Sequence, residues 1–304
     1  MKLQKIVNRL QKLHPKEIDL SLDRIKTLCK KLGNPQDEIN CIQVCGTNGK
    51  GSTISFLRSI LKEANIKCNI YTSPHIKCIN ERFIYNDEMI SDDDLSNLLN
   101  EIEETNNGQP LTYFEALTAA FFHGCKKYKQ NLVIAEFGLF GRGDAVNILK
   151  KNLCNIVTSC SEDHLDWLPK DHRTIERIIF EKTSSLLNSN IVVAKQSSNE
   201  ITECIKKNIS KNSANKYYFK ENYNFVLKEN NFFYYEDNYG GLKIPKPNLN
   251  GQFQLENAST AIAILRNSLP IASPSILSNP SFIASTFSPM LRISLDISTI
   301  GPAA

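Results

Sequence analysis

No stretch of this 304-residue chain approaches the ~18 consecutive apolar residues that a membrane-spanning helix requires. The opening residues, Met1-Lys2-Leu3-Gln4-Lys5, lack the apolar core of a secretion signal. Nine cysteines are present but no C-x-x-C pair, and an odd number suits free thiols in a reducing cytoplasm better than a disulfide framework. Strong charge is missing too. The net charge is +4, and the lysines are spread among Asn and Ile, so no nucleic-acid footprint is expected. No internal repeat is found. These absences leave a soluble cytoplasmic globular protein, 41% hydrophobic and 22% charged, with core enough for one large α/β domain or a domain and a half.

One stretch organises what remains: Gly46-Thr47-Asn48-Gly49-Lys50-Gly51-Ser52-Thr53. The apolar run Cys41-Ile42-Gln43-Val44-Cys45 before it has strand length, and Leu57, Ile60, Leu61 and Ala64 after it fall on one helical face. A strand, a Gly-rich loop with one Lys and a helix form a phosphate-binding layout. Glycines admit phosphate oxygens to backbone N–H groups, the helix start is partly positive, and Lys50 adds a point charge. The full Walker pattern is absent, since Val44 stands where it wants a glycine and Gly51 separates Lys50 from the hydroxyls of Ser52 and Thr53, either of which suits a bound Mg²⁺.

Further along, helices are expected over 6–13 and 23–32, and a second strand over 67–72 ends in Thr72-Ser73-Pro74-His75. Residues 82–90 read as a hairpin around Asn86-Asp87. Ser91 with Asp94 starts a capped helix to about residue 104, and an apolar helix is expected over 114–128. Strands over 131–137 and 154–159 lead to Gly138-Leu139-Phe140-Gly141-Arg142-Gly143-Asp144 and to Glu162-Asp163-His164. A helix over 174–187, a strand over 190–194, an antiparallel set between 217 and 244 and a helix over 250–269 follow. Five of the twelve prolines come after residue 269, where no period survives, so 1–269 reads as one domain and 270–304 as an irregular tail.

Glu136, ending a buried strand, caps loop amides or binds metal; the metal reading is favoured because nucleotide phosphates arrive with Mg²⁺. Ser73 is a second metal ligand or a turn residue. His164, as a lone loop histidine, reads first as an ordinary satisfied residue, and Lys182 as a surface charge. Asp144 and Asn147 cap their loop or hold a ligand. His14, His75, His123 and His172 have no spacing that supports catalysis.

Together these strings resemble the folylpolyglutamate synthase/dihydrofolate synthase family, a branch of the Mur ligases, from about residue 6 to 269. The matching pieces are the phosphate loop, Thr72-Ser73-Pro74-His75, Asn80-Glu81-Arg82, Thr112-Tyr113-Phe114-Glu115-Ala116-Leu117-Thr118, Glu136-Phe137-Gly138-Leu139, Asp144-Ala145-Val146-Asn147, Asp163-His164, Glu181-Lys182 and Asn250-Gly251-Gln252-Phe253-Gln254-Leu255-Glu256-Asn257. The resemblance implies a P-loop Mur-ligase-type α/β domain, its mostly parallel sheet flanked by helices and carrying a small antiparallel add-on.

It further implies ATP on Gly46–Thr53 with Lys50 on the phosphates and Asn257 on adenine. Mg²⁺ would sit on Ser73 and Glu136, with a second ion on Glu136, His164 and a carbamylated Lys182. Lys50, Glu136, His164 and Lys182 would be the catalytic set, and Pro74, Arg82, Phe114 and Asp144 would contact a pteroate or folate. The implied reaction joins glutamate to dihydropteroate or a folate through an acyl phosphate, in a monomer with no nucleic-acid or membrane partner. Phe140, Gly143 and Ser161-Glu162 depart from the family pattern. The family's C-terminal motifs, Trp-x-Gly-Arg and Asp-Gly-Ala-His-Asn, are missing. The chain is thus expected to hold the ATPase domain alone, to bind ATP and to ligate glutamate poorly. The alternatives are an inactive nucleotide-binding fragment and another Mur-type amide ligase.

Overall fold

The structure, a computed structural model, describes residues 2–14, 19–228, 232–247, 249 and 251–268. The expected tail over 270–304 lies outside these. In chain order the elements are helices α1 (Lys2–Leu10) and α2 (Asp23–Lys31), strand β1 (Asn40–Cys45), α3 (Lys50–Glu63), β2 (Cys68–Tyr71), β3 (Phe83–Tyr85) and β4 (Glu88–Met89). Then come α4 (Asp92–Asn106), α5 (Tyr113–Gly124), β5 (Leu132–Glu136), β6 (Cys154–Val157), α6 (Ile175–Thr183), β7 (Asn190–Val193) and α7 (Asn199–Asn208). Strands β8 (Lys216–Tyr218), β9 (Tyr223–Lys228), β10 (Phe232–Asp237) and β11 (Gly240–Pro245) precede α8 (Phe253–Asn267).

Eight strands form one sheet in the order β4-β3-β2-β5-β1-β6-β7-β8. From β2 to β8 every pairing is parallel, and β3 and β4 add an antiparallel edge. A parallel sheet must be covered on both faces, and the pleat sorts its side chains accordingly. Cys41 and Cys45 of β1, with Val133 and Ala135 of β5, join the core under α1, α2, α4 and α5. Ile42 and Val44, with Leu132 and Ile134, join the core under α3, α8 and the second sheet. Gln43, on the first face, would be costly to bury unpaired. Its amide donates to Val146 O at 3.3 Å and its carbonyl accepts from Asn152 Nδ2 at 2.7 Å.

The small antiparallel sheet comprises β9, β10 and β11 only. Tyr217 and Tyr218, expected in that add-on, instead lie in β8, which pairs in parallel with β7. Three residues are too few to show which partner they prefer, and the buried edge of β7 decides it. Helix α7 was not foreseen. Ser198 caps it by accepting from Ile201 N, and Ile205 is its buried residue, too weak a stripe to read from sequence. The expected helix over 114–128 ends at Gly124 and tightens into a 3-10 turn over Cys125–Tyr128.

Helix α5 carries Phe114 towards the strand ends, and its start is held by a reciprocal pair. Glu115 N donates to Thr112 Oγ1 at 3.2 Å, and Thr112 N donates to Glu115 Oε2 at 2.8 Å. Thr112→Ala is expected to cost about 1 kcal/mol, read as a lowered denaturation midpoint at unchanged slope. An unchanged midpoint would show that the tertiary contacts of α5 set its start without the cap.

Candidate active site

The C-terminal ends of β1, β2, β5 and β6 converge, which is where open parallel sheets take ligands. The loop leaving β1 turns back through Gly46 at φ +129° and Gly49 at φ +84°. A side chain at Gly46 would strike Thr158 at the end of β6, and one at Gly49 would strike the amide of Asn257 on α8. Asn257 is thereby placed against the loop, its Nδ2 donating to Gln254 Oε1 at 3.1 Å.

The amides of Thr47 and Asn48 are not free for phosphate, because both donate to Ser159 O, at 2.8 and 3.0 Å. The Thr47 hydroxyl donates to Ser161 O at 3.1 Å and Asn48 Nδ2 donates to Ser161 Oγ at 3.1 Å. The first half of the loop is therefore zipped to the segment leaving β6. The second half is open: the first intrahelical bond of α3 runs from Thr53 N to Gly49 O, leaving the amides of Gly49, Lys50, Gly51 and Ser52 without a helical acceptor. Lys50 Nζ lies back on Gly46 O at 3.1 Å and Thr47 O at 3.0 Å, and 3.8 Å from Glu136 Oε1.

Glu136 ends β5 beside this loop, 4% exposed. Burial pushes its carboxyl up to about 7, opposed by the charge of Lys50 and by the Ser73 amide, which donates to Oε2 at 3.3 Å. Ser73, whose bond to Pro74 is cis, has a buried hydroxyl oxygen with no partner. The Thr53 hydroxyl is also buried and unpaired. A desolvated carboxylate beside an orphaned hydroxyl fits a hard divalent cation, which prefers oxygen ligands.

The residues expected to hold a second ion make contacts of their own. His164, in the left-handed region at φ +53°, points Nε2 at Asp163 Oδ1, 3.1 Å away, and its ring meets Phe140 edge-on at 6.4 Å. Lys182 is buried at 1% exposure, so the surface reading fails. Its Nζ donates to Gly46 O and Leu139 O, both at 3.1 Å, and lies 3.7 Å from Asp163 Oδ2. Burial and then the nearby Lys50 lower its pKa. As an ammonium it spends two donors on those carbonyls. Among the described residues no three His, Cys, Asp or Glu side chains are grouped to hold a metal.

Asp144 is buried with both carboxylate oxygens engaged. Oδ2 accepts from Gly138 N at 2.8 Å and Leu139 N at 3.0 Å, and Oδ1 from Val146 N at 2.9 Å. Burial pushes this carboxyl up to about 6, with those amides opposing. Asn147 Nδ2 donates to Gly141 O at 3.0 Å and Ser185 Oγ at 2.9 Å. The loop-capping alternative holds for both residues. Phe114 lies against Gly138 with its ring 6.0 Å from that of Tyr71.

Sequence reasoning passed over His75, whose Nδ1 accepts from Arg82 Nε at 2.9 Å. It also passed over Glu81, whose carboxylate accepts from the amides of Ile76 (2.7 Å), Lys77 (2.8 Å) and Cys78 (3.0 Å). The signal for both was the pairing of Ser-Pro-His with Asn-Glu-Arg a few residues on.

A covered parallel sheet, a phosphate loop on an inner strand and a carboxylate ending the next strand define the class, a P-loop α/β domain. The chain belongs to the Mur ligase middle domain family, whose profile matches residues 44–265. A curated dihydrofolate synthase/folylpolyglutamate synthase of Bacillus subtilis is 36% identical over 201 residues, 64% of this chain and 46% of that protein. Escherichia coli FolC, solved in complex with DHPP and ADP, is 32% identical with a TM-score of 0.80, covering 94% of this chain and 66% of that one. The Yersinia pestis bifunctional folylpolyglutamate synthase/dihydrofolate synthase, complexed with AMPPNP and Mn ion, is 29% identical with a TM-score of 0.79, covering 94% and 65%. The chain spans less than half the length of the first curated relatives it matches. Among the described residues no helix is long and apolar enough to cross a membrane.

Proposed function

We propose that this chain binds ATP and a divalent cation, physiologically Mg²⁺, as the phosphoryl-transfer part of a ligase. The ligase joins glutamate to dihydropteroate, folates or both. The observation that carries the reading is the buried Glu136 carboxyl, set between the phosphate-loop lysine and Ser73, whose amide donates to it and whose hydroxyl is orphaned. Lys50 and the free amides of Gly49–Ser52 hold the ATP phosphates, with Gly46, Thr47 and Asn48 shaping the loop and Asn257 against the base. Ser73 and Glu136 hold the cation, which when bound offsets phosphate charge. Pro74, Arg82 and Phe114 form the pterin side, with Asp144 fixing the loop beneath. His164 and Lys182 bridge that loop to the phosphate loop through Asp163, Gly46 and Leu139.

The pteroate carboxylate attacks the γ-phosphate, and the glutamate amine then displaces phosphate from the acyl phosphate. Fixed cations and amides aimed at the transferring group stabilise the charge that spreads over it. The chain would act as a cytoplasmic monomer. The test is ADP release by the 304-residue chain with ATP and Mg²⁺. Stimulation by dihydropteroate, and not by glutamate alone, is expected. Release indifferent to the pterin would favour a nucleotide-binding module of another kind.

A further inference from the structure

We propose that His75 is a positioning residue that aims Arg82 at the substrate carboxylate; this rests on the reading that the site takes a pterin acid. A guanidinium Nε–H can only donate, so the 2.9 Å contact makes His75 Nδ1 the acceptor and puts the ring proton on Nε2.

The consequence for Arg82 is geometric. A guanidinium is a rigid planar fork, and engaging Nε fixes the direction of its other edge. Among the described residues neither terminal nitrogen of Arg82 makes a hydrogen bond or ion pair, so the outer Nη1/Nη2 edge is available to two carboxylate oxygens. Arg82 O accepts from Thr72 N at 3.3 Å, and the next amide, that of Ser73, donates to Glu136 Oε2 at 3.3 Å, which sets the Arg82 segment beside the reacting side of the pocket.

His75 is in turn held by its loop. The Glu81 carboxylate gathers the amides of Ile76, Lys77 and Cys78, and Thr72 N donates to Arg82 O at 3.3 Å, closing the segment into one unit. The aromatic acid enters where that edge points, and the chain needs the imidazole as a lone-pair donor, not as an acid or base.

Dihydropteroate and ATP binding to the 304-residue protein are measured by calorimetry for the wild type, His75→Ala and His75→Asn. In parallel, ¹⁵N NMR of the His75 ring is compared between the wild type and Arg82→Ala. His75→Ala is expected to weaken dihydropteroate binding about tenfold, the value of one charge-assisted hydrogen bond. His75→Asn, whose Oδ1 can replace the Nδ1 lone pair, recovers most of it, and ATP affinity is unchanged in both. The wild-type ring shows the Nε2–H tautomer and Arg82→Ala releases it to a mixture. Equal dihydropteroate affinity in His75→Ala and the wild type, or a tautomer indifferent to Arg82→Ala, overturns the proposal. A wild type that does not bind dihydropteroate refutes the proposed function, and the NMR comparison then decides the His75–Arg82 link by itself.

Discussion

Lys50→Ala is expected to abolish measurable ATP binding, by about 10³-fold, while the protein stays folded. The ammonium now rests on Gly46 O and Thr47 O, within the loop that leads into the open amides of α3. It leaves those carbonyls for phosphate oxygens at little cost, since one set of acceptors replaces another. Charge-assisted contacts to a multiply charged phosphate in a partly desolvated loop are worth far more than neutral ones. Lys50 is partly exposed and outside both major cores, so its truncation opens no cavity. Equilibrium nucleotide binding checks the first half and a thermal melt the second. Unchanged affinity would remove the phosphate-loop assignment.

The second large effect is at Glu136. Glu136→Gln keeps shape and burial but removes the anion, and metal-dependent ATP turnover is expected to fall by about 10² to 10³. A readout without ligand accompanies it. In the metal-free protein the folded carboxyl is raised to about 7 from the ordinary value of 4.5. Between those pH values the folded state holds a proton that the unfolded state has released, so stability falls as pH rises through that window. The amide cannot ionise and escapes this loss. Glu136→Gln should therefore be more stable than the wild type at pH 8, with the difference fading below about pH 4.5. Parallel pH curves for the two proteins would show that the carboxylate is not desolvated as described.

Legibility followed range. Strands β1 and β5 were readable because a parallel inner strand is apolar on both faces, and α4 because Ser91 and Asp94 sit three residues apart with the bond the spacing implies. The phosphate loop was readable for the same local reason. What sequence could not supply was partners far along the chain. That the Thr47 and Asn48 amides go to Ser159, more than a hundred residues on, follows only once β1 and β6 are neighbours. Lys182 looked like a surface charge because the carbonyls that hold it belong to two other loops. His75 looked idle because its partner is reached by folding the hairpin back on β2. The parallel attachment of β8 was lost to short length.

In the proposed reaction the pteroate carboxylate accepts the γ-phosphoryl group at the loop of Lys50. Dihydropteroate labelled with ¹⁸O in its carboxylate, incubated with ATP, Mg²⁺, glutamate and the 304-residue chain, tests it most directly through the mass of the phosphate released. Attack through an acyl phosphate moves one labelled oxygen onto phosphate, so phosphate heavier by a single ¹⁸O, appearing only when dihydropteroate is present, is predicted. Phosphate free of label, released at the same rate with or without the pterin, would contradict it.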